Sequence, residues 1–261
     1  MNSGKIKIWF QALSPSPKID PKWQPYQEAC ERYVPNIARP GTEVHFASTD
    51  TRAPNMIVST YIQYLHMAQV IDNAIQAEKD GYDAFVIGGM RDMGYTELKE
   101  VVDIPVLFIS EVSYHCATML AEKFAVIHSD EHPLQVAQSI IERYGLEDRT
   151  VLGGHIGYSQ TEVIQAFKNN PKKIVDDLKR AAEGPISRGA GILVPGFAAI
   201  NVGLCELGVR DFDGVPILDC QAVAIKSAEM MVDLRRMGMP KGRVGVQKKD
   251  IEIARKVYGV E

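Results

Sequence analysis

"DAFVIGG" (83–89), followed by "MRDMG" (90–94), decides how this chain is read. An unbroken apolar run before a glycine turn suits a strand covered on both faces. The glycines open the turn, and Arg91 and Asp92 come just past the strand's carboxyl end. The pattern recurs. "KIKIWF" (5–10) and "TEVHFA" (42–47) read as the first two strands, and "IPVLFIS" (104–110) as the one after "DAFVIGG". "FAVIHS" (124–129), "TVLGGHIG" (150–157), "GILVPG" (191–196) and "VPILDC" (215–220) form a second series. Helical spacing fills the intervals: residues 57–81 carry apolar positions at that period and stop at Gly81, and "EVSYHCATMLAEK" (111–123) forms another helix. Buried strands alternating with helices predict parallel α/β sheets with right-handed crossovers. Ligands then bind at the carboxyl ends of the strands.

The 261 residues are 46% hydrophobic and 24% charged, enough for a well-buried core. A net charge of −4 with both signs dispersed excludes a basic nucleic-acid footprint and a polybasic membrane patch. No signal peptide is expected in "MNSGKIKIWFQ", and no apolar run approaches the roughly 18–20 residues that span a bilayer. Cys30, Cys116, Cys205 and Cys220 are far apart and form no CxxC. That predicts reduced thiols in a cytoplasmic protein rather than disulfides or a zinc site.

A weak internal repeat divides the chain. "YDAFVIGGM…DIPVLFISEV…CATMLAEK" parallels "GAGILVPGF…GVPILDCQAV…KSAEMMVD". The expectation is two pseudosymmetric α/β lobes, residues 1–122 and 123–261. Each is a parallel four-stranded sheet flanked by helices, with the active site in the cleft between them. The closing helix, about 221–237, is expected to pack back on the first lobe.

Five stretches, "PGTEVHF", "DAFVIGGMRDMGYTELKEVVDIPVLFISE", "MLAEKFAVI", "GAGILVPGFA" and "GVPILDCQAVAIKSAEMMV", together resemble the aspartate/glutamate/hydantoin racemase superfamily, most of all its hydantoin racemase branch. The resemblance implies two facing lobes, no cofactor, and a small carboxylate or cyclic amide held between them. It also implies one cysteine from each lobe, one thiolate removing a proton and the other thiol returning one to the opposite face. At the matching positions this chain has Gly89 and Phe197, and shifting the register by one or two residues restores no cysteine. Neither residue can move a proton.

The candidates for other chemistry lie at predicted strand ends. His128 is a possible acid or base near neutral pH, or a strand-end histidine bonded to a loop carbonyl. His155, between glycines, is a site residue with Tyr158 as a neighbouring hydroxyl, or part of a tight turn. Glu111 is a carboxylate base, or a first-turn acid favoured by the helix dipole. Cys220 is a nucleophile or acid at a helix start, opposed by the adjacent Asp219. Arg91 is placed to grip a substrate carboxylate, with a solvated surface arginine as the alternative, and Asp92 is read as a helix cap. Gly88, Gly89 and Met90, and Gly196, Phe197 and Ala198, offer backbone N–H groups for an oxyanion. Gln11, Ser14, Ser48 and Thr49 add polar groups on loops after strands one and two. His45, His128 and His155 lack ligand-like spacing, so no metal is expected.

These readings predict an enzyme acting on a small carboxylate, amide or cyclic amide without paired thiols. Hydrolysis of a C–N bond is placed first because it needs one base and an oxyanion hole. Isomerase or lyase chemistry with His or Glu as base comes next. A non-catalytic carboxylate binder is the second class. A racemase drawing on Cys116, Cys205 or Cys220 is the third. The expected partner is a small-molecule substrate, with no nucleic acid or membrane, and the resemblance implies a homo-oligomer.

Overall fold

Ala84 through Ile87 are completely buried in the computed structural model, as a strand apolar on both faces requires. The structure describes residues 4–50, 59–242 and 247–259. The start of the helix expected from residue 57 lies outside the described residues. The first lobe contains β1 (Ile6–Pro15), α1 (Gln24–Ile37), β2 (Thr42–Thr49), α2 (Thr60–Lys79), β3 (Ala84–Ile87), α3 (Tyr95–Val101), β4 (Val106–Phe108) and α4 (Ile109–Leu120). Its four strands are parallel in the order β2-β1-β3-β4. The second contains β5 (Phe124–His128), α5 (Glu131–Arg143), β6 (Gly154–His155), α6 (Gln160–Asn169), α7 (Pro171–Ser187), β7 (Ile192–Pro195), α8 (Ala198–Glu206), β8 (Asp211–Phe212), β9 (Val215–Pro216) and α9 (Cys220–Arg236). A last helix, α10 (Lys248–Val257), follows.

The second sheet is smaller than expected: three parallel strands in the order β6-β5-β7 rather than four. "VPILDC" supplies the small antiparallel β8–β9 pair and one parallel bridge, Leu193 with Ile217, closed by the Leu218 N–H donating to the Leu193 carbonyl at 2.8 Å. Pro216 has no N–H for a longer ladder, and two residues after the bridge Asp219 turns away to cap α9 by accepting from the Ala222 N–H at 3.0 Å. "TVLGGHIG" shortens for a related reason. A Cβ at Gly153 would lie 2.2 Å from the Val126 carbonyl oxygen, and one at Gly154 would lie 2.0 Å from that of Ala181. These glycines let β6 press against its neighbours; they do not approach a ligand.

α9 packs on α4 and against β1, β3 and β4. Arg39 makes a two-pronged ion pair with Asp233, and Arg236 donates to the Gly4 and Lys5 carbonyls, so the helix is fastened to the first lobe at both edges. One apolar cluster runs from Ile8 and Phe10 through Tyr114 to Phe124 and Val194, spanning both lobes. A second lies under α2 and α3 around Phe85, Ile87 and Phe108. Among the described residues no helix is long and apolar enough to cross a membrane.

Candidate active site

The carboxyl ends of β1, β3, β5 and β7 converge where the lobes meet. They enclose a cavity of about 70 Å³. β1 contributes Leu13 and Ser14. The turn after β3 contributes Gly88 through Arg91, β5 ends in His128, and Gly196, Phe197 and Ala198 lead into α8. Trp23 and Tyr26 close the first-lobe side, and Pro133 and Gln160 the other. Phe197 meets Trp23 edge to face, with ring centroids 6.4 Å apart.

The glycines here are packing devices. A Cβ at Gly88 would lie 2.2 Å from Phe10, one at Gly89 2.5 Å from Leu13 Cδ1, and one at Gly196 2.5 Å from His128 Cδ2. The missing side chains let β1 and β5 crowd against the turns.

His128 is almost wholly buried, and that burial, reinforced by the nearby Arg91 charge, pushes its pKa down to about 3. Its Nδ1 accepts the Ser129 N–H at 2.7 Å, which leaves the ring proton on Nε2. The imidazole is thus a neutral donor, hydrogen-bonded to the Gly196 backbone, as expected of a strand-end histidine tied to a loop. Burial also lowers the pKa of Arg91, from a value so high that the guanidinium stays charged. Arg91 is therefore the charged group of the lining, which contains no carboxylate and no cysteine among the described residues. The first N–H groups of α8 lack intrahelical partners and face the same junction.

The other candidates sit elsewhere. Gln11 is buried beneath the site, its Oε1 accepting from Trp9 Nε1 and Asn73 Nδ2 at 3.0 and 2.9 Å. Thr49 donates to the Ser14 carbonyl at 3.1 Å and so supports the site from behind, and Ser48 donates to Gln27. His155 pairs in register with His128 but is exposed on the outer strand. Tyr158 donates to Asp177 at 2.5 Å on the outside of the second lobe. Glu111 accepts from Tyr95 at 2.6 Å and from Lys99 at 3.0 Å, and it lines a separate groove. Cys220 is completely buried, its thiol against the Pro195 and Leu218 carbonyls and its pKa pushed up by that burial. Burial pushes Cys30 to about 12 and Cys205 to about 11. No two thiols of the described residues face each other across the cavity.

Asp92 does not cap a helix. Gly94, at φ 69°, occupies the N-cap of α3. Asp92, itself at φ 45°, is buried and accepts from Ser110, from Tyr144 at 2.5 Å and from Arg143 at 3.2 Å, tying the site turn to the second lobe. Burial raises its pKa against these contacts. Sequence reasoning passed over Leu13, Trp23, Tyr26, Pro133 and Gln160. Trp23 had a signal: Asp20 followed by Pro21 starts a short 3-10 turn that the Asp20 side chain caps.

The sequence profile of the Asp/Glu/Hydantoin racemase family matches residues 24–228. The chain belongs to this family. It is 28% identical over 207 residues to a hydantoin racemase of Pseudomonas sp. (strain NS671), covering 78% of this chain and 80% of that one. A hydantoin racemase of Paenarthrobacter aurescens is 26% identical over 192 residues, 72% of this chain and 78% of its own length. Among solved structures, allantoin racemase from Klebsiella pneumoniae superposes with a TM-score of 0.74 at 20% identity, covering 92% of each chain. That likeness establishes the racemase-type two-lobe fold.

Proposed function

We propose that this racemase-family protein is a lyase whose reaction passes through an enolate-like anion of a small carboxylate or cyclic amide, without paired thiols. The observation that carries this reading is the cavity itself, with one half-buried cation, Arg91, one neutral imidazole, and neither carboxylate nor thiol among its described residues. Gly89 and Phe197 stand where the resemblance places the two cysteines. Arg91 is suited to hold a carboxylate by two parallel hydrogen bonds. The N–H groups of Gly88 and Gly196 are not available for charge that develops during reaction, since they donate to the Gln11 and Ile127 carbonyls at 2.8 Å each; donors there come from the N–H groups that follow them in the turn after β3 and at the start of α8.

His128 sets the direction of the chemistry. A base that activates water must accept a proton near neutral pH, and this imidazole, with Nδ1 occupied and a pKa of about 3, does not. This weighs against the hydrolysis that the sequence placed first, and equally against an isomerisation that begins by removing a proton, since Glu111 lies in a separate groove. In a lyase step, the bond to a leaving group breaks, its electron pair remains on the substrate as an enolate, and a proton from water takes the leaving group's place on carbon. The same donor-only imidazole favours one second reading, a carboxylate binder without turnover.

Proton NMR in D₂O on a panel of small carboxylates, hydantoins and cyclic imides separates these readings, with Arg91→Ala and His128→Asn beside the wild type. Solvent deuterium at the substrate α-carbon, lost in both variants, supports the enolate reading. Ring opening without deuterium exchange refutes it in favour of hydrolysis. Line broadening with no turnover refutes it in favour of the binder.

A further inference from the structure

The turn after β3 sends two neighbouring side chains to different places. Arg91 is half-buried and lines the cavity at the strand ends, while Asp92 lies outside that lining with its side chain wholly buried. The Asp92 carboxylate accepts from Ser110 at the start of α4, from Tyr144 at 2.5 Å and from Arg143 at 3.2 Å, the last two at the end of α5. None of these three partners lines the cavity. Asp92 is therefore no contact for a substrate there, yet it is bonded directly to the residue best suited to be one.

The backbone marks the position as one that serves its side chain. Among the described residues, two that are not glycine have φ in the left-handed region, Asp92 and Asp213. Asp213 is exposed and precedes Gly214 in the two-residue turn between β8 and β9, where Asp-Gly is a common choice. Asp92 is in no such hairpin, and glycine would adopt its φ of 45° freely. Instead it combines a sparsely populated backbone conformation with a buried charge, two costs that its contacts must offset.

Arg91 requires an anchor of this kind. A guanidinium held half out of water is drawn back to solvent, and its long stem lets it swing there. It grips a carboxylate by two parallel hydrogen bonds only when its planar fork is presented at one angle. Pinning the Asp92 side chain fixes the rigid peptide plane that joins residues 91 and 92, and with it the direction in which Arg91 leaves the backbone. Ser110 and Tyr144 hold Asp92 from two elements, one in each lobe, so the turn is not free to pivot about a single contact.

We infer that Asp92 is a positioning residue: fastened between α4 and α5, it sets the turn after β3 so that Arg91 presents its guanidinium to a substrate carboxylate. This rests on the reading of Arg91 as the group that holds that carboxylate.

The test is NMR titration of the full chain with propanoate and with propanamide, its neutral counterpart of nearly the same shape. The readout is the ratio of the two affinities, because a loss of packing alone weakens both ligands together and leaves the ratio in place. The wild type should prefer propanoate, and Arg91→Ala should abolish the preference. Asp92→Gly suits the backbone but releases the anchor, and should lower the preference about 10-fold, the worth of one of the two parallel hydrogen bonds. Asp92→Asn tolerates the left-handed backbone and keeps one accepting oxygen, and should retain most of it. Should Asp92→Gly fail to fold, Tyr144→Phe removes a single donor and should lower the preference about 3-fold. An unchanged ratio in Asp92→Gly or in Tyr144→Phe overturns the proposal while leaving the reading of Arg91 intact. A wild type without the preference, or Arg91→Ala with it, overturns that reading and the proposal with it.

Discussion

Gly89→Cys puts a thiol back where the family resemblance places one, and the packing around Gly89 predicts a loss of stability. The new Cβ would lie 2.5 Å from Leu13 Cδ1, 2.9 Å from Cγ and 3.3 Å from Cβ, where carbon pairs are most stable at about 3.5–4.0 Å. Leu13 is buried, so it can yield only by changing rotamer or moving β1. Overpacking of this kind costs about 1–3 kcal/mol. Leu13→Ala alone removes buried methyl groups and should cost about 2–5 kcal/mol. In the double variant the cysteine enters the space the leucine vacated. The combined loss should then fall short of the sum by about 0.5–3 kcal/mol. Urea unfolding of the four proteins gives each value. A Gly89→Cys variant as stable as the wild type, or two losses that simply add, would refute the claim that Leu13 fills the cysteine's place.

Gly196→Ala should destabilise at least as much as Gly89→Cys, because its Cβ would meet His128 Cδ2 at 2.5 Å and Val126 Cγ1 at 2.7 Å, both held by β5; thermal melts check the order. His128 gives stability a pH dependence of known sign. Above about 6.5 both states are neutral there; as pH falls from 6.5 towards 3 the unfolded chain takes up a proton the folded one refuses, so stability drops, by roughly 5 kcal/mol at the limit. In His128→Asn that part of the acid slope should vanish, and an unchanged slope would show that the imidazole is not held neutral. Asp92→Ala leaves Ser110 and Tyr144 without their acceptor and should cost about 1–3 kcal/mol. Asp92→Gly loses the same contacts but suits φ 45°, so it should be the milder change in the same melts. Arg91→Ala should weaken binding of a monocarboxylate ligand about 10- to 100-fold by calorimetry, with little effect on a neutral analogue.

The legible parts of this fold were those fixed by burial alone. β3 and β7 are apolar along their length, as is β5 up to its terminal His128, and all three are buried but for trace exposure, so the strands and the candidate site at their carboxyl ends could be read from pattern. β6 and the reduced fourth strand could not, because their lengths depend on carbonyl oxygens approaching Gly153 and Gly154 and on the departure of Asp219 into a cap. The site was legible by the same measure. Position at a strand end brought Ser14, Arg91 and His128 to one cavity, but it also suggested His155 and Glu111. β6 is the outer strand, so His155 faces solvent. Glu111 is turned by Tyr95 and Lys99 into a different concavity. Pattern gives the end of an element; which way its last side chain turns depends on partners distant in sequence.

The glycines around the cavity then take on a different meaning. A glycine in place of a reactive side chain suggests empty space, yet Phe10 fills the Cβ position of Gly88, Leu13 that of Gly89, and His128 with Val126 that of Gly196. The cavity is small because Phe10, Leu13, Val126 and His128 pack over these glycines, and its lining is mostly apolar, with Ser14, Arg91, His128 and Gln160 the exceptions beside the aromatic Trp23 and Tyr26. A thiol could not be restored at Gly89 without displacing Leu13, since β1 packs over that position. Chemistry in this cleft must therefore draw on one cation, one neutral donor and the ends of the backbone, which stabilise an anion far better than they remove a proton.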